Sequence, residues 1–191
     1  MYNSKIQKIT ESTISTERLY ILPSVDSRDL NNYISDLLLT NDFYFQYGQP
    51  YSDELLESID FHSTGVVYYS IFLKDTGIMI GYMGILPHED NPACGDLEFY
   101  IFKEFRRCGF CKEALTSFID NFFIGSLTGI KGMQVEAETL SDNEISCRFL
   151  ESMGFRRKSS GIRAFFDDDG ELDKIKTNGL YRYDLEKQWK V

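Results

Sequence analysis

Residues 100–114 read Tyr100-Ile101-Phe102-Lys103-Glu104-Phe105-Arg106-Arg107-Cys108-Gly109-Phe110-Cys111-Lys112-Glu113-Ala114. The segment passes from strand character into a helix start. Downstream, Phe110, Ala114, Leu115, Phe118, Ile119, Phe122 and Phe123 fall on one face at helical spacing, and Gly125 supplies a stop. Between strand and helix, Lys103, Arg106, Arg107 and Lys112 face only Glu104, a basic island in a chain of net charge −10. A helix start presents unpaired N–H groups and the positive end of the helix dipole. Gly109 lets the backbone turn tightly and come close to a ligand. A basic, glycine-containing loop at a helix N-terminus is an anion site, best matched to a diphosphate. Its spacing fits neither a P-loop nor a dinucleotide fingerprint.

Working outward, Asp96 to Phe102 reads as a fourth strand. Met133, Val135, Ala137 and Thr139 alternate with Gln134, Glu136 and Glu138, which predicts a half-buried fifth strand. The unit from 96 to 139 is therefore expected to be a right-handed parallel crossover. Upstream, 16–23 reads as a first strand. Asp26 opens a helix with Leu30, Ile34, Leu37 and Leu38 on one face, and a shorter helix covers 52–60. Residues 66–74 and 77–86 read as strands joined by the turn Asp75-Thr76-Gly77. Downstream, Ser141-x-x-Glu144 has the form of a capping box. It opens a helix with Ile145, Phe149, Leu150 and Met153 inward, closed by Gly154. A last hairpin, 155–166 with 178–186, surrounds the turn Asp167-Asp168-Asp169-Gly170. The fold class is α/β: a mixed, mostly antiparallel sheet of six to seven strands with about four helices. The 191 residues form one domain, 1–191, with a core of about 14–187.

Composition narrows the function classes. Thirty acidic against 20 basic residues argue against nucleic acid or an anionic membrane surface as partner, since both need a basic footprint. The longest apolar run, Ile78 to Leu86, is interrupted by Gly81 and Gly84 and is too short to span a bilayer. The first residues carry no apolar signal core, so a cytoplasmic location is expected. Cys108-Gly109-Phe110-Cys111 spells C-x-x-C. A zinc site would need a second pair, and His62 and His88 stand apart, so no metal is expected. Redox chemistry at the pair would need a low-pKa thiol at the helix start. Several strands precede the pair, however, and it overlaps the anion loop.

Arg106-x-x-Gly109-x-Cys111 resembles the Arg/Gln-x-x-Gly-x-Gly/Ala signature of the GNAT superfamily of N-acetyltransferases. The phrase from Phe105 to Ala114 is close to the form of its ribosomal-protein N-terminal (RimJ/RimL-like) branch. Three further segments agree in order and spacing. Thr16-Glu17-Arg18-Leu19 is similar to that branch's opening strand, and Gly81-Tyr82-Met83-Gly84 to its third. Asn143-x-x-Ser146 through Phe149-Leu150-Glu151-Ser152-Met153-Gly154-Phe155 is similar to its fourth helix and the strand after it. The likeness spans about residues 14–187.

The resemblance implies a GNAT fold in which the fourth and fifth strands splay apart. It implies acetyl-CoA as cosubstrate, with no metal, and an amine acceptor that is a small molecule or a protein N-terminus. The chain would act as a monomer or homodimer. Arg106, Arg107, Cys108, Gly109, Phe110, Cys111 and Lys112 would hold the diphosphate, with Asn143 also on the cofactor. The pantetheine arm would pair with the strand at Phe99 and Ile101. A backbone N–H near Ile101 or Phe102 would stabilise the oxyanion. The amine must lose a proton before attack. Glu98 is the favoured base, with Asp96 and Glu138 as the other candidates. Leu150 stands where many relatives place a Tyr that protonates the departing thiolate, and Ser146 is the substitute acid. Cys111 stands where Gly or Ala is usual. Two other readings stay open here: a coenzyme A-binding sensor without turnover, and a C-x-x-C redox protein.

Overall fold

The computed structural model describes residues 13–24, 35–36, 67–166 and 172–187. The expected helices after Asp26 and over 52–60, and the turn at 167–170, lie outside them, save for helical residues 35–36. In chain order the elements are β1 (Ile14–Ser15), β2 (Leu19–Pro23), β3 (Val67–Leu73), β4 (Met79–Pro87) and β5 (Cys94–Ile101). A 3-10 turn at Lys103–Phe105 follows, then α1 (Phe110–Ile124), β6 (Gln134–Leu140), α2 (Glu144–Ser152), β7 (Arg156–Phe166) and β8 (Leu172–Glu186). All eight strands join one sheet in the order β1-β2-β3-β4-β5-β6-β8-β7. Every pairing is antiparallel except β5 with β6.

The strand expected at 16–23 is β2, shortened to Leu19–Pro23, and a short partner ahead of it, β1 at Ile14–Ser15, raises the count to eight. Thr16 closes the turn: its N–H donates to the Leu19 carbonyl and its Oγ1 accepts the Leu19 N–H, both at 3.0 Å. A hydroxyl that bonds its own backbone competes with strand continuation.

The core lies between one sheet face and the two helices. Ala114, Leu115, Phe118, Ile119, Phe122 and Phe123 of α1 are buried, as their spacing predicts. They face Tyr69, Ile71, Met83, Ile85 and Leu97 of the sheet, with Tyr69 and Phe118 in edge contact at 5.3 Å. Burying each such side chain contributes roughly 1.5–3 kcal/mol. Gly125 ends α1 at φ 86°, a left-handed turn in which its N–H reaches back to Asn121 and Phe122. The ring of Phe149 lies 5.4 Å from that of Phe99, which sets α2 on the same side.

Two local expectations change. Asn143, not Ser141, caps α2: its side chain accepts the Ser146 N–H at 3.2 Å, while the Ser141 N–H is already bonded to the Gly179 carbonyl. Leu150 is buried, while Ile145, expected inward, is 73% exposed: at about 100° per residue the two lie on different sides of the helix. Met133, expected inward on a strand, precedes β6 and is exposed.

Candidate active site

The parallel pairing of β5 and β6 covers only Cys94–Gln134, Gly95–Val135 and Asp96–Glu136. Beyond that point β5 runs on to Ile101 bonded to β4, and β6 runs on to Leu140 bonded to β8. The strands have parted. Two bonds at the ends of the β4–β5 ladder fix its phase: Phe102 N–H to the Ile80 carbonyl and His88 N–H to the Cys94 carbonyl, both 2.9 Å. Alternation makes Tyr82–Tyr100 and Gly84–Glu98 the bonded pairs. The N–H and C=O groups of Phe99 and Ile101 therefore point away from β4, into the opening beside β6. That opening offers an extended ligand a sheet edge. Of the two expected oxyanion donors, Phe102 is engaged in the ladder, and Ile101 faces the opening. At Gly81 the strands come so close that an added Cβ would lie 2.2 Å from the Tyr100 carbonyl oxygen.

Beyond β5 the chain makes the anion loop. Arg106 turns back, with Nε donating to the Ile101 carbonyl at 2.8 Å and its guanidinium 5.0 Å from the Tyr100 ring centre. Arg107 (φ 61°) and Gly109 (φ 81°) are both left-handed, with Cys108 between them. Gly109 is the N-cap of α1 and offers no capping side chain. The N–H groups of Phe110, Cys111 and Lys112 accordingly have no partner within the helix. Arg107, Cys108, Gly109 and Lys112 are exposed, with Phe110 and Cys111 half-buried. Burial pushes the Cys111 thiol up to about 12, against a smaller lowering by Arg106. That is the opposite of what a redox dithiol needs at Cys111. The four cysteines are free.

Glu98 projects from β5 on the sheet face opposite α1, together with Asp96 and Tyr100. Its Oε2 accepts hydrogen bonds from the hydroxyls of Tyr68 and Tyr82, both at 3.2 Å. Register explains the reach: Tyr68 pairs with Gly84 and Gly84 with Glu98, so a residue without a side chain separates the two. Glu98 is exposed as a residue, while its carboxylate is flanked by the Tyr68 and Tyr82 hydroxyls. Desolvation pushes the carboxyl above its ordinary value, helped slightly by Asp96 and opposed by the two tyrosine bonds. Solvent at the open edge tempers the shift. The other candidates already have side-chain partners. Asp96 lies 3.4 Å from His88 Nε2, with Glu136 close by, and Glu138 is bonded to Arg182 Nε at 2.5 Å. His88, which stands apart in the sequence, thus joins two carboxylates by strand register.

The structure draws Phe99, Ile101, Arg106, Gly109 and Cys111 together along one path from the opening to the helix start. Asn143 spends its side-chain oxygen as a helix cap, and Ser146 sits half-buried in the first turn of α2. Leu150 is 1% exposed, part of the core. Tyr68 and Tyr82, which bond Glu98, carry no signal of a site role in the sequence; only strand register reveals them. Among the described residues, no helix is long and apolar enough to cross a membrane.

No curated protein matches the chain by sequence. Solved structures resemble it in fold. A GNAT-family acetyltransferase from Bacillus anthracis superposes with a TM-score of 0.66 at 15% identity, covering 91% of this chain and 98% of that one. The ribosomal-protein-S5-alanine acetyltransferase from Vibrio fischeri gives 0.66 at 16% identity, covering 94% and 99%. The spermidine N-acetyltransferase from Vibrio cholerae, in complex with CoA and spermine, gives 0.65 at 16%, covering 88% and 95%. The sequence pattern of the Acetyltransferase (GNAT) domain matches residues 18–156, most of the chain. Together with the parted parallel strands and the glycine-capped helix, that match places this chain in the GNAT acetyltransferase family.

Proposed function

We propose that this chain is an N-acetyltransferase of the RimJ/RimL-like kind, acting in the cytoplasm on a primary amine with acetyl-CoA as donor. The observation that carries the reading is the opening between β5 and β6, which leads directly to the uncapped N-terminus of α1. A diphosphate fits that terminus, and an amide-bearing arm fits the free edge at Phe99 and Ile101. The structural relatives that act on a ribosomal protein and on spermidine support an amine acceptor of either size.

Acetyl-CoA supplies an activated acetyl thioester. The chain's residues supply the rest. First-turn N–H groups of α1 hold the diphosphate, with Arg107 and Lys112 adding charge. The Ile101 N–H is turned toward the opening, where it can stabilise negative charge developing on the thioester oxygen. Glu98 takes the proton from the attacking nitrogen, since an amine at neutral pH is mostly protonated and must become neutral to attack. A carboxyl raised above its ordinary range is a stronger base than a free one, and neutral tyrosine hydroxyls leave its charge available. As the new N–C bond forms and the C–S bond breaks, the thiolate leaves without a tyrosine donor, because Leu150, a side chain with no proton to give, stands at the position many relatives give to that tyrosine. Solvent supplies that proton.

Thiol release from acetyl-CoA against a panel of amines tests the reading, with peptide N-termini, polyamines and aminoglycosides among the acceptors. Amine-dependent release supports it. Coenzyme A binding without release on any amine favours the sensor reading instead.

A further inference from the structure

The Thr16-Glu17-Arg18-Leu19 segment marks the likeness to the family, yet nothing above gives it a task. In the structure it forms the β1–β2 turn, and Arg18 reaches the anion loop. Arg18 Nε donates to Glu113 Oε2 at 2.6 Å, and the Arg18 N–H donates to Glu113 Oε1 at 2.8 Å. Thr16 Oγ1 donates to the same Oε1 at 2.5 Å. The other end of the guanidinium, Nη1, donates to the Cys108 carbonyl at 3.0 Å. Its Cζ lies 4.4 Å from the Phe110 ring centre, and a Cβ built on Gly109 would sit 3.4 Å from Nη2. One side chain thus touches Cys108, Phe110 and Glu113 and lies beside Gly109, the residues at the start of α1.

That segment needs holding. Cys108 lies between two left-handed residues, one of them the non-glycine Arg107, and neither belongs to a helix or a sheet ladder. Left-handed backbone costs free energy in a residue with a Cβ, and it persists only where the surroundings impose it. Only a planar, forked cation can bond a carboxylate on one edge, a carbonyl on the other and an aromatic face at once. Partial burial works to raise the Glu113 carboxyl. The bonds from Thr16 and Arg18, with the Arg18 charge, outweigh it and hold Glu113 ionised.

We propose that Arg18 is a positioning residue: anchored by Glu113, it locks the Cys108 carbonyl and Phe110 so that the first-turn N–H groups of α1 converge on a diphosphate. The assignment rests on the acetyltransferase reading. It goes further, because it gives a residue some 90 positions away from the loop control over cofactor affinity.

The test compares Arg18→Ala, Arg18→Lys and Glu113→Gln in the full chain. Each is assayed with acetyl-CoA and with S-acetylpantetheine, the same thioester without the diphosphate, alongside the melting temperature and the amine KM. Arg18→Ala should raise the acetyl-CoA KM by about tenfold or more. Its kcat at saturation, its amine KM and its kcat/KM for S-acetylpantetheine should stay within about twofold. Arg18→Lys keeps the charge but not the fork and should restore the melting temperature without restoring the affinity. Glu113→Gln leaves the Arg18 charge in place and should also weaken acetyl-CoA. If both thioesters lose activity together, Arg18 merely supports the fold and the proposal is overturned. Wild-type affinity in Glu113→Gln would likewise overturn it, reducing Arg18 to a charge. Should the alanine variant not fold, the lysine and glutamine variants carry the same decision. A wild-type chain that binds no acetyl-CoA refutes the acetyltransferase reading itself, a result distinct from any difference among the variants.

Discussion

Replacing Gly109 by valine probes the loop at its most constrained point. Gly109 holds φ at 81°, and a side chain built there meets nothing closer than Arg18 Nη2 at 3.4 Å. The free protein therefore has room for a Cβ, and the cost is conformational. Left-handed backbone costs an L-residue about 1–2 kcal/mol, and a β-branched one sits at the upper end. The strain has two outlets. If the backbone stays left-handed, the fold loses that amount, and Tm falls by about 2–4 °C per kcal/mol in a chain of this size. If it relaxes to negative φ, the peptide ahead of Phe110 rotates and its N–H leaves the anion site. In both cases two methyl groups stand where the diphosphate approaches. Calorimetric titration with acetyl-CoA should show affinity down at least about tenfold, or about 1.4 kcal/mol, with a single cooperative melt retained. Unchanged affinity together with unchanged Tm would refute the placement of the diphosphate on this loop.

Glu98→Gln should lower kcat by ~10²–10⁴, with partial recovery as pH rises and more of the amine is already neutral. The same variant should melt above wild type at neutral pH. A carboxyl raised by folding adds stability below its ordinary value of 4.5 and loses it as pH climbs through the folded value, so the two melts should converge in acid. Tyr68→Phe and Tyr82→Phe each remove a bond that favours ionised Glu98, so the acid limb of kcat/KM should move to higher pH in both. Asn143→Ala should cost about 1 kcal/mol of stability through the lost cap of α2, read as a lower Tm. Ser146→Ala should reduce kcat less than Glu98→Gln does; the reverse order would make the Ser146 hydroxyl the thiolate's proton donor and pass the base role from Glu98 to Asp96, Glu138 or a water.

The parts of the site that were legible in the sequence are those with a local signature. Charge against an acidic background, with one glycine, marked residues 106–112 as an anion loop, and helical spacing marked the buried face of α1. The crossover between β5 and β6 followed from a change of period within one stretch of chain. What stayed hidden is non-local. The row Tyr68–Gly84–Glu98 exists only because three strands pair in one register, and a one-residue slip of β3 or β5 would turn Tyr68 or Glu98 to the other face. The clamp of Arg18 on Cys108 and Glu113 joins segments some 90 residues apart. Cap choice at α2 was also hidden: Ser141 fits the capping pattern, but its N–H, which a capping box gives to Glu144, bonds the Gly179 carbonyl of β8, and Asn143 supplies the cap.

The central claim is that acetyl-CoA lies with its diphosphate at the start of α1 and its arm along the free edge of β5. Amide hydrogen exchange, with and without acetyl-CoA, reads those N–H groups directly. New protection should appear at Phe99 and Ile101 and at Phe110, Cys111 and Lys112. The β4-bonded amides of Tyr100 and Phe102 should change little, since the ladder already protects them. Protection confined to other segments, or no change at saturating acetyl-CoA, would contradict the account.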